Sequence, residues 1–276
     1  MTQASNHSST ASVTHIVGAR PNFPKAAPVI AALANRSVTQ RLVHTGQHYD
    51  DALSEAFFRE LDLPEPDVNL GVGSGSHATQ TADLMRALET EFIASNPRAV
   101  VVYGDINSTL AAALVAVKME MPVAHVEAGL RSFDRTMPEE INRVVTDQLA
   151  GLLLTTSPEG LTNLTNEGVD PTRVAFVGNP MIDTLLKNRP RFSGSEIIAR
   201  LGIDGAYAVA TLHRPANVDS HAAAAQIVDA LRACSDRLPL IVPLHPRGRQ
   251  ALAAAGLDDM SRVFVIDPLS YLNFMG

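Results

Sequence analysis

Three acidic residues, Asp105, Glu127 and Glu139, fall within one stretch from Tyr103 to Arg143, each directly after an apolar run or opening a helix. Carboxylates fixed at such positions can give and take protons. Arg131, Arg135 and Arg143 are interleaved with them, and guanidinium groups hold phosphate well. Two more cations, Arg20 and Lys25, stand in GARPNFPK, a loop that ends at a helix N-terminus. Free N–H groups and the helix dipole there can face one anion, with phosphate the obvious candidate. The loop is neither GxGxxG nor a Walker sequence, so solvated surface charges are the competing reading. His213 follows a further apolar run in TLHRPANVD.

Each of these residues has a plainer use. Asp105 in YGDINST can cap the helix that follows it. His125 and Glu127 are two apart and should share one strand face. With Asp105 they can be drawn as a metal site, but a histidine on an apolar strand is more often a hydrogen-bonded core residue, and His125 is read that way. Glu139 and Glu140 can be first-turn acids favoured by the helix dipole, with Glu139 and Arg143 an i to i+4 pair. That use suits Glu140 best, because the long, arginine-rich loop GLRSFDRTM argues for a ligand near Glu139.

The elements that must position these groups alternate. Runs at Val13 to Val17, Arg41 to His44, Ala99 to Tyr103, Pro122 to Val126, Leu152 to Thr155 and Val174 to Val177 read as strands. Helix-start chemistry lies between them, at Pro24, Asn107-Ser108 and Pro138-Glu139-Glu140. This order predicts a parallel sheet covered by helices on both faces. The pattern pauses at Gly178-Asn179-Pro180, which divides the chain into a Rossmann-like domain over residues 13–180 and a second over 181–276. Strands of the second are expected at Tyr207 to Leu212, Leu240 to Leu244 and Val263 to Ile266, few for a parallel sheet, so this domain reads as incomplete. Ligands of open parallel sheets bind beyond the carboxyl ends of the strands, which places Arg20, Asp105, Glu127 and His213 at a cleft between two domains.

The 276 residues are 46% hydrophobic and carry a formal net charge of −7. Such a balance argues against nucleic acid and anionic membranes as partners, so an anionic ligand needs a local cluster. One cysteine, Cys234, leaves no internal disulfide and no zinc spacing, which suits a cytoplasmic location. Residues 1–12, MTQASNHSSTAS, read as a disordered tail without signal-peptide character, and no apolar run approaches the roughly 20 residues of a membrane span.

GARPNFPKAAPVI, TGQHYD, VVVYGDINSTLAAALVAVK, HVEAGLRSFDRTMPEEINRVVTD, FVGNPMIDTL, TLHRPANVD and DPLSYLNF, in that order and spacing, resemble the UDP-N-acetylglucosamine 2-epimerase family from about Thr14 onward. The resemblance implies an α/β fold of two Rossmann-like domains, as in GT-B glycosyltransferases. It also implies interconversion of UDP-N-acetylglucosamine and UDP-N-acetylmannosamine without cofactor or metal, by elimination of UDP to 2-acetamidoglucal and its re-addition. Asp105, Glu127 and Glu139 match the family's catalytic acids and His213 a histidine near the diphosphate. Arg20, Lys25 and Arg143 match substrate-site positions, and Phe274 an aromatic position beside the uracil. A homodimer feeding surface polysaccharide synthesis is further implied. Gln47-His48 is followed by Tyr49-Asp50 instead of the Arg-Glu of members that bind an activating substrate, and His213-Arg214-Pro215-Ala216-Asn217 varies a family pattern. Members continue past Phe274 with a glycine-rich nucleotide-binding element, so the sequence reads as C-terminally truncated. The alternatives are a hydrolysing epimerase, which releases free N-acetylmannosamine and UDP, and a non-catalytic fragment that binds nucleotide sugar.

Overall fold

The computed structural model describes residues 12–46, 51–212, 221–244 and 246–276, with the side chains of 51–55, 221 and 246–248 outside the description. The expected tail, Gln47 to Asp50 and His213 therefore lie outside the described residues, apart from Ser12, whose carbonyl accepts from Arg98 N at 2.9 Å.

The chain forms two compact units that divide between Arg189 and Pro190. In the first, β1 (Val13–Val17), α1 (Phe23–Ala34), β2 (Gln40–His44), α2 (Asp51–Glu60), β3 (Val68–Asn69) and α3 (His77–Ser95) come in turn. They are followed by β4 (Ala99–Tyr103), α4 (Asn107–Lys118), β5 (Val123–Ala128), α5 (Pro138–Leu149), β6 (Leu152–Thr155), α6 (Pro158–Asn166), β7 (Val174–Phe176) and α7 (Pro180–Asn188). The seven strands are all parallel, in the order β3-β2-β1-β4-β5-β6-β7. The chain winds outward one way from β1 and the other way from β4, which makes the carboxyl ends of these two neighbours the switch point where ligands of such sheets bind.

The central strands are apolar because both faces are covered: Val100, Val102 and Tyr103 on β4 are wholly buried. The small residues Ala111, Ala112, Ala113 and Ala116 let α4 lie close against the sheet and its neighbour helices. The first unit runs to Arg189 and so keeps α7, contrary to the sequence boundary at Pro180. The reason is local. Pro28 sits inside α1 and has no N–H to give the Pro24 carbonyl, and Thr184 Oγ on α7 donates to that carbonyl at 2.7 Å instead.

The second unit holds α8 (Ser195–Leu201), β8 (Ala208–Val209), α9 (His221–Ser235), β9 (Leu240–Pro243), α10 (Pro246–Ala254), β10 (Val263–Ile266) and α11 (Tyr271–Met275). Its parallel sheet has the order β10-β9-β8, over a core of Val228, Leu240, Val242, Leu252 and Leu257. β8 is shorter than the expected run to Leu212, being an edge strand that pairs with β9 alone. Both units have the expected α/β, Rossmann-like build.

Candidate active site

The first turn after β1 is tied to the end of β4 by Asn22. Its Oδ1 accepts from Gly18 N at 3.1 Å and Ala19 N at 3.3 Å, while its Nδ2 donates to Tyr103 O at 2.9 Å. Arg20 opens this turn and is half-buried. Lys25, in the first turn of α1, is buried, and its ammonium group is paired with the Glu127 carboxylate at the end of β5. A Cβ added to Gly104 would stand 2.9 Å from Lys25 Nζ and 3.2 Å from Glu127 Oε2, so this glycine forms the wall against which the pair rests.

Glu127 takes its place through a break in the ladder. The pairing with β6 runs Val126 to Leu154 and then Ala128 to Thr155, which leaves Glu127 as the extra residue of a bulge. Its φ is +76°, a strained conformation for a non-glycine residue that costs about 1–3 kcal/mol and is met chiefly at functional sites. The expectation that His125 and Glu127 share one face is therefore corrected. His125 reaches Asp147 on α5, and Glu127 reaches Lys25 on α1.

Asp105 does not cap α4. The N-cap residue is Ile106, and the Asp105 carboxylate instead accepts from Arg143 Nη2 at 2.6 Å. Its backbone is held as well, since Asn142 Nδ2 donates to Asp105 O at 2.8 Å. Arg143 Nη1 donates to Glu140 Oε2 at 2.9 Å, so the i to i+4 pairing with Glu139 is replaced by an i to i+3 pairing with Glu140. Glu140 is buried and also accepts from Ser132 N, Ser132 Oγ and Phe133 N, at 2.9, 3.0 and 3.1 Å, which fixes the long loop before α5. Burial pushes the Glu140 carboxyl up, but these donors and Arg143 outweigh it and hold the group below the usual range. The side chain of Glu139, half-buried in the first turn of α5, has no hydrogen-bond or ion-pair partner among the described residues.

His125 is wholly buried with both ring nitrogens engaged, by Asp147 Oδ1 at 2.6 Å and Gly104 O at 2.8 Å, so it has none free for a metal. Among the described residues, no group of three or more His, Cys, Asp or Glu side chains is arranged to hold a metal ion. Likewise, no helix among them is long and apolar enough to cross a membrane. Phe274 lies in the second unit, in a pocket with Ile197, Tyr207 and Ile241.

The first unit thus gathers Lys25 with Glu127, and Arg143 with Asp105, around the Gly104 turn. Asn22, Asn142 and Asp147 escaped the sequence reading. All three lie inside the motifs quoted above, and each is buried in the fold although other polar residues surround it in the sequence.

The sequence profile of the family described as UDP-N-acetylglucosamine 2-epimerase matches residues 31–276. A Methanocaldococcus jannaschii protein named UDP-N-acetylglucosamine 2-epimerase is 38% identical over 270 residues, which are 94% of this chain and 74% of the relative. A Pseudomonas aeruginosa protein named UDP-2,3-diacetamido-2,3-dideoxy-D-glucuronate 2-epimerase is 40% identical over 267 residues, 94% of this chain and 73% of the relative. The solved M. jannaschii UDP-GlcNAc 2-epimerase, in complex with UDP-GlcNAc and UDP, superposes with a TM-score of 0.85 at 36% identity and covers 95% of this chain and 75% of that one. Sequence and backbone agree: the chain belongs to the UDP-N-acetylglucosamine 2-epimerase family.

Proposed function

We propose that the protein interconverts UDP-N-acetylglucosamine and UDP-N-acetylmannosamine without hydrolysis. The observation that supports this reading is the pairing of two carboxylates with cations near the carboxyl ends of β4 and β5, Asp105 with Arg143 and Glu127 with Lys25. A base removes the C2 proton, the C1–O bond breaks, and UDP leaves with the electron pair, giving 2-acetamidoglucal. UDP then adds back at C1 as an acid delivers a proton to the other face of C2. Removing a weakly acidic proton calls for a positioned base together with stabilisation of the leaving diphosphate. Asp105, Glu127 and Glu139 supply the proton-transfer groups, while Arg20, Lys25, Arg143 and His213 hold the diphosphate and sugar. Phe274 takes the uracil. As a cytoplasmic homodimer, the enzyme supplies UDP-N-acetylmannosamine for surface polysaccharide.

The decisive experiment is incubation with UDP-N-acetylglucosamine in deuterated water. Deuterium at C2 of a product that still carries UDP supports the reading, and free N-acetylmannosamine as the only sugar product overturns it. The name of the P. aeruginosa relative supports a second reading, in which the same epimerisation acts on a UDP-sugar bearing a second acetamido group and a C6 carboxylate. Parallel assays with that substrate decide between them by kcat/KM.

A further inference from the structure

We propose that His125 is a positioning residue: held by Asp147, it carries a proton on both ring nitrogens and clamps the Gly104 carbonyl, fixing the turn that bears Asp105 against the bulge that bears Glu127.

The donor count leads there. A carbonyl oxygen only accepts, so His125 Nε2 must donate to Gly104 O, 2.8 Å away. Asp147 Oδ1 lies 2.6 Å from His125 Nδ1, while Asp147 Oδ2 accepts from Gly129 N at 3.0 Å and faces Arg131 Nη1 at 2.8 Å. Asp147 Oδ2 thus meets two donors, one of them charged, an arrangement that favours the carboxylate, and with Asp147 ionised Nδ1 donates too. Burial pushes the Asp147 carboxyl up, but the His125 and Arg131 contacts outweigh it and hold the group below its ordinary range. Arg131 in turn gives two bonds to Glu167, each of 2.7 Å. Charges therefore alternate from His125 through Asp147 and Arg131 to Glu167, which compensates a cation that has no exposure to water.

This chain grips both loops of the site. His125 holds Gly104 by its carbonyl, and Asp147 holds Gly129 by its N–H. Between these grips lie three left-handed residues, Gly104 at φ +64°, Glu127 at +76° and Gly129 at +80°, a backbone that needs outside restraint to keep one shape. The charged groups facing His125 are Asp147 and, behind it, Arg131 and Glu167. Beyond Gly104 stand the Lys25–Glu127 pair and the Arg143–Asp105 pair.

Two measurements test the clamp. In protein labelled with 15N-histidine, the His125 ring, assigned by its absence from His125→Gln, is expected to show both nitrogens protonated under the conditions of the activity assay, and Asp147→Asn to abolish that pattern. A neutral His125 ring in the wild-type protein overturns the proposal. The kinetic arm rests on the epimerase reading and uses UDP-N-acetylglucosamine. His125→Asn, whose amide nitrogen reaches only the Nδ1 position, should lower kcat roughly 10–100-fold with KM little changed, as supporting residues behind a site commonly do. His125→Gln, whose amide nitrogen reaches the Nε2 position, should recover most of the loss. Equal losses in both variants, with unfolding midpoints at the wild-type value, overturn the clamp. A wild-type protein inert toward this substrate counts against the epimerase reading instead, and the spectra then decide the clamp alone.

Discussion

Arg143 on α5 joins two carboxylates from different parts of the chain, its Nη2 lying 2.6 Å from Asp105 Oδ2 and its Nη1 2.9 Å from Glu140 Oε2. One cation thereby sets both a proposed proton-transfer group and the buried acid that fixes the loop before α5. Arg143→Ala should lower kcat roughly 100-fold or more, the scale seen when a single oriented donor is removed. It should also destabilise the fold by about 1–3 kcal/mol, because Glu140 keeps its burial and loses a charged donor. Arg143→Lys restores charge without the two-pronged geometry and is expected to fall between. Steady-state kinetics with urea unfolding check this, and an Arg143→Ala enzyme of wild-type rate would refute the assignment.

Gly104 is the residue that Lys25 and Glu127 rest against. Gly104→Ala adds a Cβ 2.9 Å from Lys25 Nζ and demands a side chain at φ +64°. A stability loss of about 1–2 kcal/mol is expected from the backbone alone. In steady-state assays kcat should drop further than in Ala128→Ser, a change at the buried residue next to Glu127 in sequence, a comparison that separates displacement of the pair from general loosening.

The Thr184 bond to the Pro24 carbonyl exists because Pro28 cannot supply one. Thr184→Val should cost about 1 kcal/mol in the wild-type protein. In a Pro28→Ala background the helix regains its own donor to Pro24, and the same substitution should cost measurably less. A double-mutant cycle from denaturant unfolding gives the coupling, and strict additivity of the two changes would contradict it.

His15 is buried between strands, where Tyr103 Oη lies 2.7 Å from Nδ1 and Gln40 Oε1 accepts from Nε2 at 2.8 Å. Burial lowers its pKa from 6.5 to about 4, against a smaller raising effect of Gln40. The folded state therefore resists a proton that the unfolded chain accepts. This share of stability is whole above pH 6.5 and drains away as pH falls from 6.5 to about 4, by at most about 1.4 kcal/mol per pH unit. Asp147 and Glu140, both held below the ordinary carboxyl range, are stabilising above that range and lose their contribution as the pH falls through it and below. Unfolding midpoints of His15→Gln should show a shallower decline between pH 6.5 and 4, with the acid limb below it unchanged. An identical slope in the two proteins would exclude His15 as the cause.

Much of this architecture is legible in the sequence. β1, β4, β6 and β10 have the ends their apolar runs suggest. For β1 and β4 the reason is burial on both faces, which leaves an unbroken mark. β3 was missed, since two residues at a sheet edge leave almost none. The candidate site was legible as a set of residue types and illegible as a set of pairs. Nothing local to Asp105 distinguishes a helix cap from a partner of Arg143, thirty-eight positions further along. The partnership of Asp147 with His125 depends in the same way on how α5 crosses β5, and the alternation reading at Glu127 failed because it assumed an unbroken ladder.

The bulge at Glu127 separates what the sheet needs from what the chemistry needs. β5 resumes its pairing at Ala128 and Thr155 as though Glu127 were not there. The carboxylate that meets Lys25 is thus carried by a residue the ladder does not use, so the bulge sets its place and the pairing of β5 with β6 does not constrain its side chain.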